Sequence, residues 1–176
     1  ESGRLVLLTL ARTDPVAAVR VAALDALARW GEDAELARFA EAEFDAGWSW
    51  NTQGHAALLR ARAAPADAWE WLTERRRIAS PHGTLEAQLV SALGTLVDPR
   101  VVDELLRTAE DVREDENVRV AAATALAPRT GKERRVADAF VRLLGTPDHR
   151  LRRTVIGALA DSGSPRLVDV LAAQRE

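Results

Sequence analysis

Cysteine, methionine and tyrosine are all absent from this chain of 176 residues, and Lys132 is its one lysine. Without cysteine there are no disulfides, no thiol nucleophile and no thiolate-bound zinc. The same lack leaves the compartment open, with the cytoplasm as the leading expectation, because a cysteine-free chain is compatible with either redox environment. A chain that starts at Glu1 and holds no methionine reads as a processed product or a piece of a longer protein.

Long apolar runs are missing as well. None approaches the ~18 residues that a membrane-spanning helix needs, and no signal-peptide pattern opens the chain, so membrane insertion is not expected. A basic excess is also lacking: Lys and Arg total 24 against 27 Asp and Glu, a net charge of −3. Nucleic-acid binders draw most of their affinity from phosphate neutralisation, so a nucleic-acid partner is not expected.

Catalytic patterns are absent too. His55, His82 and His149 stand far apart, and none has a convincing i, i+3 or i+4 carboxylate or imidazole partner of the kind a helical metal site requires. No HExxH, no phosphate-binding glycine loop and no GxSxG elbow occurs. The acidic runs Glu41-Glu43-Asp45 and Glu110-Asp111-Glu114-Asp115-Glu116 read as solvated loops and helix ends. The expectation is a chain that is not an enzyme, with no catalytic residues, no metal and no cofactor.

What is abundant forms helices. Alanine, leucine and arginine dominate, and all three favour the helical state. The near-exclusive use of arginine for positive charge reflects a GC-rich coding background rather than a function. Three segments align without gaps: Val19-Arg20-Val21-Ala22-Ala23-Leu24-Asp25-Ala26-Leu27, Val118 through Leu126, and Leu151 through Leu159. The arginines fall 99 and 33 residues apart, which sets a period of 33. One period before Arg119 stands Glu86, inside Leu85 through Leu93, with the same apolar frame. The remaining slot, near Thr52, is the most degraded copy.

The prolines support this register. Pro15, Pro81 and Pro147 sit five residues before Arg20, Glu86 and Arg152, while Pro65, Pro99 and Pro165 sit thirteen after Thr52, Glu86 and Arg152. Proline suits the first turn of a helix, so two proline columns imply two helix starts per period. First helices are expected at about 15–30, 51–63, 82–96, 115–127 and 148–161. Second helices are expected at about 33–44, 66–77, 99–110, 132–144 and 165–174. Asp14, Asp98 and Ser164 are candidate N-caps, and Gly31, Gly94 and Gly163 mark the ends of first helices. The apolar opening Leu5-Val6-Leu7-Leu8-Thr9-Leu10 reads as a second helix left from a preceding repeat, over 1–13. The fold class is therefore all-α, with about five helix pairs that bury their faces by stacking.

The pattern Asp-Pro-x-x-x-Val-Arg-x-x-Ala-x-x-Ala-Leu, carried here by Asp14 through Leu27, resembles the short bacterial HEAT repeat, also called the PBS-lyase HEAT-like type. The resemblance implies one right-handed α-α superhelical domain with repeats at about 14–46, 47–79, 80–112, 113–145 and 146–176. It implies structural anchoring of adjoining repeats by Arg20, Arg119 and Arg152, an anchor that Glu86 and Thr52 lack. It also implies a concave face lined by second helices, where a protein or peptide binds. Arg38, Trp69, Glu70, Thr73, Arg100, Asp103, Arg107, Arg166 and Asp169 fall on that inferred face, and their alternating signs suit a mixed-charge partner better than phosphate. An alternative is an accessory domain in the C-terminal part of a larger enzyme, similar in layout to the HEAT-like region of M1-type zinc aminopeptidases. Its partner would then be an upstream domain of the same polypeptide.

The five tryptophans lie between Trp30 and Trp71, around the degraded copy. Trp71 shares a column with Phe39, Leu105 and Leu171 and is expected to face the core. Trp69 shares one with Ala37, Asp103 and Asp169 and is expected to be exposed, either as a contact residue or as a filler of the degraded repeat. Trp48 and Trp50 are expected to cap that repeat. Glu74-Arg75-Arg76-Arg77 reads as a solvated helix end.

Overall fold

A computed structural model describes residues 2–163, and among these it contains ten α-helices, three short 3-10 turns and no strand. The helices are α1 (Ser2–Thr13), α2 (Ala17–Leu27), α3 (Ala34–Asp45), α4 (Trp50–Ala63), α5 (Ala68–Arg75), α6 (Thr84–Leu93), α7 (Arg100–Glu110), α8 (Glu116–Leu126), α9 (Arg134–Leu143) and α10 (His149–Asp161). The chain forms two compact units, Glu1–Asp98 and Pro99–Glu176.

In the first unit α2, α4 and α6 are successive neighbours, and α1, α3 and α5 each pack on the helix that follows. In the second unit α8 adjoins α10, α7 packs on α8, and α9 packs on α10. Within each unit this is the arrangement of a HEAT-like α-solenoid. Leu24, Leu36, Phe44, Leu59, Leu72, Leu85 and Leu89 fill the first core, and Leu105, Leu126, Phe140 and Leu151 fill the second. Each such side chain contributes about 1.5–3 kcal/mol when fully buried.

Several helix starts share one column of the repeat. Ser49, Asp115 and Asp148 precede α4, α8 and α10, and their side chains accept from the amides of Thr52 (3.1 Å), Asn117 (2.8 Å) and Leu151 (2.9 Å). Each satisfies an amide that the helix start leaves unpaired. Where the column holds Val16, Asp14 accepts from the Val16 amide at 2.8 Å instead, and α2 begins only at Ala17. Asp14 thus shapes a turn and is not the N-cap. Pro15 and Pro147 likewise lie just outside their helices, and Pro99 is itself the N-cap of α7, displacing Asp98 from that role. Ser164, Pro165 and the second helix expected at 165–174 lie outside the described residues.

The anchor column also needs a correction at its second copy. Gln53, not Thr52, takes the place of the arginine: its Nε2 donates to the Phe44 carbonyl at 3.0 Å, at the end of α3. Arg119 Nε donates equivalently to the Ala109 carbonyl at 3.1 Å, at the end of α7. Thr52 instead pairs its hydroxyl with Ser49 at 2.9 Å. One residue along, Gly54 permits a close approach of α4 and α6, because a Cβ there would fall 2.5 Å from the Gln88 Cβ.

Candidate functional site

The residues expected on the second-helix face divide between the two units. On α5, Trp69 is half-buried and Glu70 exposed, and the Thr73 hydroxyl donates to the Trp69 carbonyl at 2.8 Å. Arg38 is exposed on α3. In the second unit Arg100, Asp103 and Arg107 share α7 and are all exposed. Asp103 is ion-paired to Arg135 of α9, and Arg107 pairs with Glu104 at 2.5 Å, which raises the Arg107 pKa. Arg142 and Glu110 add a further α9–α7 pair at 2.6 Å, so this face of the second unit is largely self-neutralised. Arg166 and Asp169 lie outside the described residues. The expected exposed column is uneven, since Ala37 is buried where Asp103 is open.

Behind Trp69 stands a cluster that sequence reasoning missed. The Trp71 ring meets Phe44 edge-on at 5.1 Å, and the guanidinium of Arg75 lies 3.9 Å from its centroid. Arg60 stacks at 5.7 Å and is itself buried, bonded to Glu41 (2.5 Å), Asp67 (3.0 Å) and the Ala64 carbonyl (2.9 Å). Trp71 is therefore half-buried between two cations rather than sunk in the aliphatic core. Its indole Nε1 is shielded from solvent and has no hydrogen-bond partner. Arg75 departs from a simple solvated helix end for the same reason. Arginine placed three or four residues from a tryptophan or its capping loop was the available signal, at Trp71 and Arg75.

The anchors differ in their surroundings. Arg20 is buried, donates to the Asp14 carbonyl at 2.7 Å, and lies 5.0 Å from the centroid of Trp48, whose ring is otherwise exposed. Arg119 is buried and sits 3.7 Å from Asp148, the N-cap of α10. Both thus reach toward the loop that opens the next first helix. Arg152 is only half-buried and donates to His149 Nδ1 at 3.0 Å.

Of the acidic runs, Asp45, Glu110, Asp115 and Glu116 are exposed, and Glu43 is the buried member. Glu43 is 3% exposed and accepts from Arg12 Nε at 3.0 Å, because its position on α3 turns it toward α1. Asp111 is held far below the ordinary carboxylate range, first by the Arg113 guanidinium and then by the Arg113 amide. His55 Nδ1 lies 2.6 Å from Asp25 Oδ1. Among the described residues no group of three or more His, Asp or Glu side chains is arranged to hold a metal ion, and no helix is long and apolar enough to cross a membrane.

A family model for HEAT repeats matches residues 112–176, the stretch that includes α8, α9 and α10. A search of curated proteins found no match.

Proposed function

We propose that the chain is a non-catalytic protein-interaction scaffold whose first unit receives a segment of a partner protein on the surface around Trp69. Three features support this reading. HEAT repeats, matched over 112–176, commonly mediate contact between proteins. The aromatic side chains concentrate in the first unit, where all five tryptophans and two of the three phenylalanines lie. Exposed charges of both signs occur in this unit, with Glu70 next to Trp69 on α5 and Arg38 on α3.

The observation that carries the proposal is the bracing of Trp69. Its helix is fixed to α3 by the Trp71–Phe44 contact, with Arg75 on the same Trp71 ring, so Trp69 is presented from a backbone with little freedom to lose on binding. Tryptophan and arginine are the side chains most often found at the energetic centre of protein interfaces. By contrast, the paired charges of α7 and α9 have less to gain from a partner.

A photoreactive phenylalanine analogue installed at position 69 tests this, with the exposed Ile156 position as control. Crosslinking to one protein from position 69 alone is the expected result, with loss of that product when Arg38→Glu is added. Equal crosslinking from both positions would refute the assignment.

A further inference from the structure

We infer that the outer face of the first helix pair, α1 with α2, is a dimer interface that takes the same face of a second copy of this chain. The columns that meet a preceding pair can be read from contacts inside the first unit. On α3, Glu35 accepts from Arg4 at 3.3 Å, Phe39 carries the Arg12 guanidinium at 4.9 Å, and Glu43 accepts from Arg12 at 3.0 Å. On α4, His55 lies 2.6 Å from Asp25 of α2, and one period later Gln88 of α6 donates to Asn51 of α4 at 3.0 Å. One period before the α3 and α4 residues stand Ser2, Val6 and Leu10 on α1 and Ala22 on α2. Val6 is 56% exposed, with Leu5 beside it at 66%, and Ser2, Ala18 and Ala22 are exposed as well. The first pair therefore presents outward the same columns with which α3 and α4 meet α1 and α2.

What stands in these columns selects the occupant. Within each unit, adjoining second helices are joined by ion pairs. Arg4 and Arg12 of α1 pair with Asp33, Glu35 and Glu43, Arg75 of α5 with Asp45 of α3, and Arg135 and Arg142 of α9 with Asp103 and Glu110 of α7. A preceding pair of that kind would bring a charge for α1 to answer. On α1, however, Ser2 and Leu10 occupy the columns of Glu35 and Glu43, and Arg4 and Arg12 are already paired with α3. On α2, Ala22 occupies the column of His55. These open columns are neutral and mostly apolar, so their match is another neutral face. A twofold axis sets such a face against itself without bringing like charges together. The helices are 12 and 11 residues long, so at ~1.5 Å per residue and ~10 Å per helix width the face covers ~350 Å² per copy. That extent belongs to a weak, reversible interface rather than an obligate one. The contact is separate from the surface around Trp69 and does not depend on it.

The test is sedimentation velocity on the full chain from about 10 µM to about 1 mM, the range in which a contact of this size dissociates. A reversible monomer–dimer equilibrium is expected. Ala22→Arg and Ala22→Glu, both at an exposed helical position, should each weaken it at least about tenfold with unchanged circular dichroism. A 1:1 mixture of the two variants should recover it, and Ile156→Arg, at an exposed position of the second unit, should leave it as it is. A chain that stays monomeric across the whole range overturns the inference. So does a dimer that both Ala22 variants leave intact, one that Ile156→Arg weakens equally, or a mixture that fails to associate. A series of species larger than the dimer overturns it too, because a face that binds itself closes at two copies, whereas one that binds a different surface continues.

Discussion

Replacing Arg119 by alanine offers the sharpest check on how the helix pairs are held in register. The Arg119 side chain is 9% exposed, and the Asp148 side chain opposite it, at 3.7 Å, is 10% exposed. Truncation leaves that carboxylate without its cation and the Ala109 carbonyl, now bonded at 3.1 Å, without its donor. Breaking a buried ion pair costs about 3–5 kcal/mol, and the long separation here puts the expectation at the lower end, about 3 kcal/mol. Arg152→Ala removes the same column residue from a half-buried site where, among the described residues, it holds His149 alone, so its cost is expected below about 1 kcal/mol. Arg119→Lys keeps the charge but not the planar donor and should fall between the two. With a urea dependence of about 1–3 kcal/mol/M, the Arg119→Ala midpoint should drop by about 1–3 M. Every tryptophan lies in the first unit, so the loss is to be followed by far-ultraviolet circular dichroism and by hydrogen exchange at the Leu151 amide, which Asp148 caps. Equal losses for Arg119→Ala and Arg152→Ala, or unchanged protection at Leu151, would refute the anchoring argument.

Two further outcomes can be measured on the same material. Gly54→Ala places a methyl 1.6 Å from the Gln88 amide oxygen and 2.5 Å from its Cβ, so a thermal melt should show a loss of about 1–3 kcal/mol. Adding Gln88→Gly should recover much of it where Gln88→Ala does not; rescue by both variants would mean that the clash is with the flexible end only. Asp33 caps α3, and its pKa lies below the ordinary 3.8, chiefly because it accepts from the Leu36 amide, with the Glu35 amide and Arg4 adding to the effect. A lowered folded pKa contributes stability that is present above the unfolded value and is lost as pH falls through the folded one. Unfolding midpoints should therefore decline below about pH 4, and Asp33→Asn, which keeps a capping oxygen, should flatten that decline; identical pH profiles would contradict this.

The helical class and the period were legible because they depend on apolar spacing, which survives substitution at single positions. The helix ends were less so. Ser49, Asp115 and Asp148 form a column with good N-cap chemistry, yet Pro15 and Pro147 drew the expected starts to 15 and 148, two residues and one residue before those observed. Proline fixes only its own φ, and here it lies outside the helix, before the capping turn. Gln53 was hidden for another reason. Gln53 stands one period of 33 after Arg20 and one before Glu86, but the proline count, thirteen back from Pro65, points one residue short, to Thr52; the hydrogen bond to Phe44 shows which side chain does the arginine's task. The Trp71 cluster joins Arg75, four residues along the same helix, to Arg60 of α4, and helical spacing carries only the first of these two contacts.

The anchor column also accounts for the most irregular turn among the described residues. The last turn of a second helix leaves carbonyls without intrahelical donors. Gln53 and Arg119 each supply one, to Phe44 and Ala109. Glu86 occupies the same column and, as a carboxylate, has no proton to donate. It accepts instead, from the Ser80 amide at 2.9 Å and from the Ser80 hydroxyl, while Ser80 Oγ accepts from the Leu85 amide at 2.8 Å. The N-cap of α6 is Gly83 rather than the usual column residue, here His82, and Ser80 reaches the Leu85 amide from further back along the chain. The intervening chain must then turn more tightly, and it does so with His82 at φ 54° and Gly83 at φ 58°. A left-handed histidine costs of order 1–3 kcal/mol in isolation, so its presence requires compensation from the contacts around it. The Glu86–Ser80 pair supplies that locally, and Glu86→Arg would remove it without supplying an adapted turn. Restoring the consensus arginine at this position should thus destabilise the first unit, the reverse of what the repeat pattern alone implies.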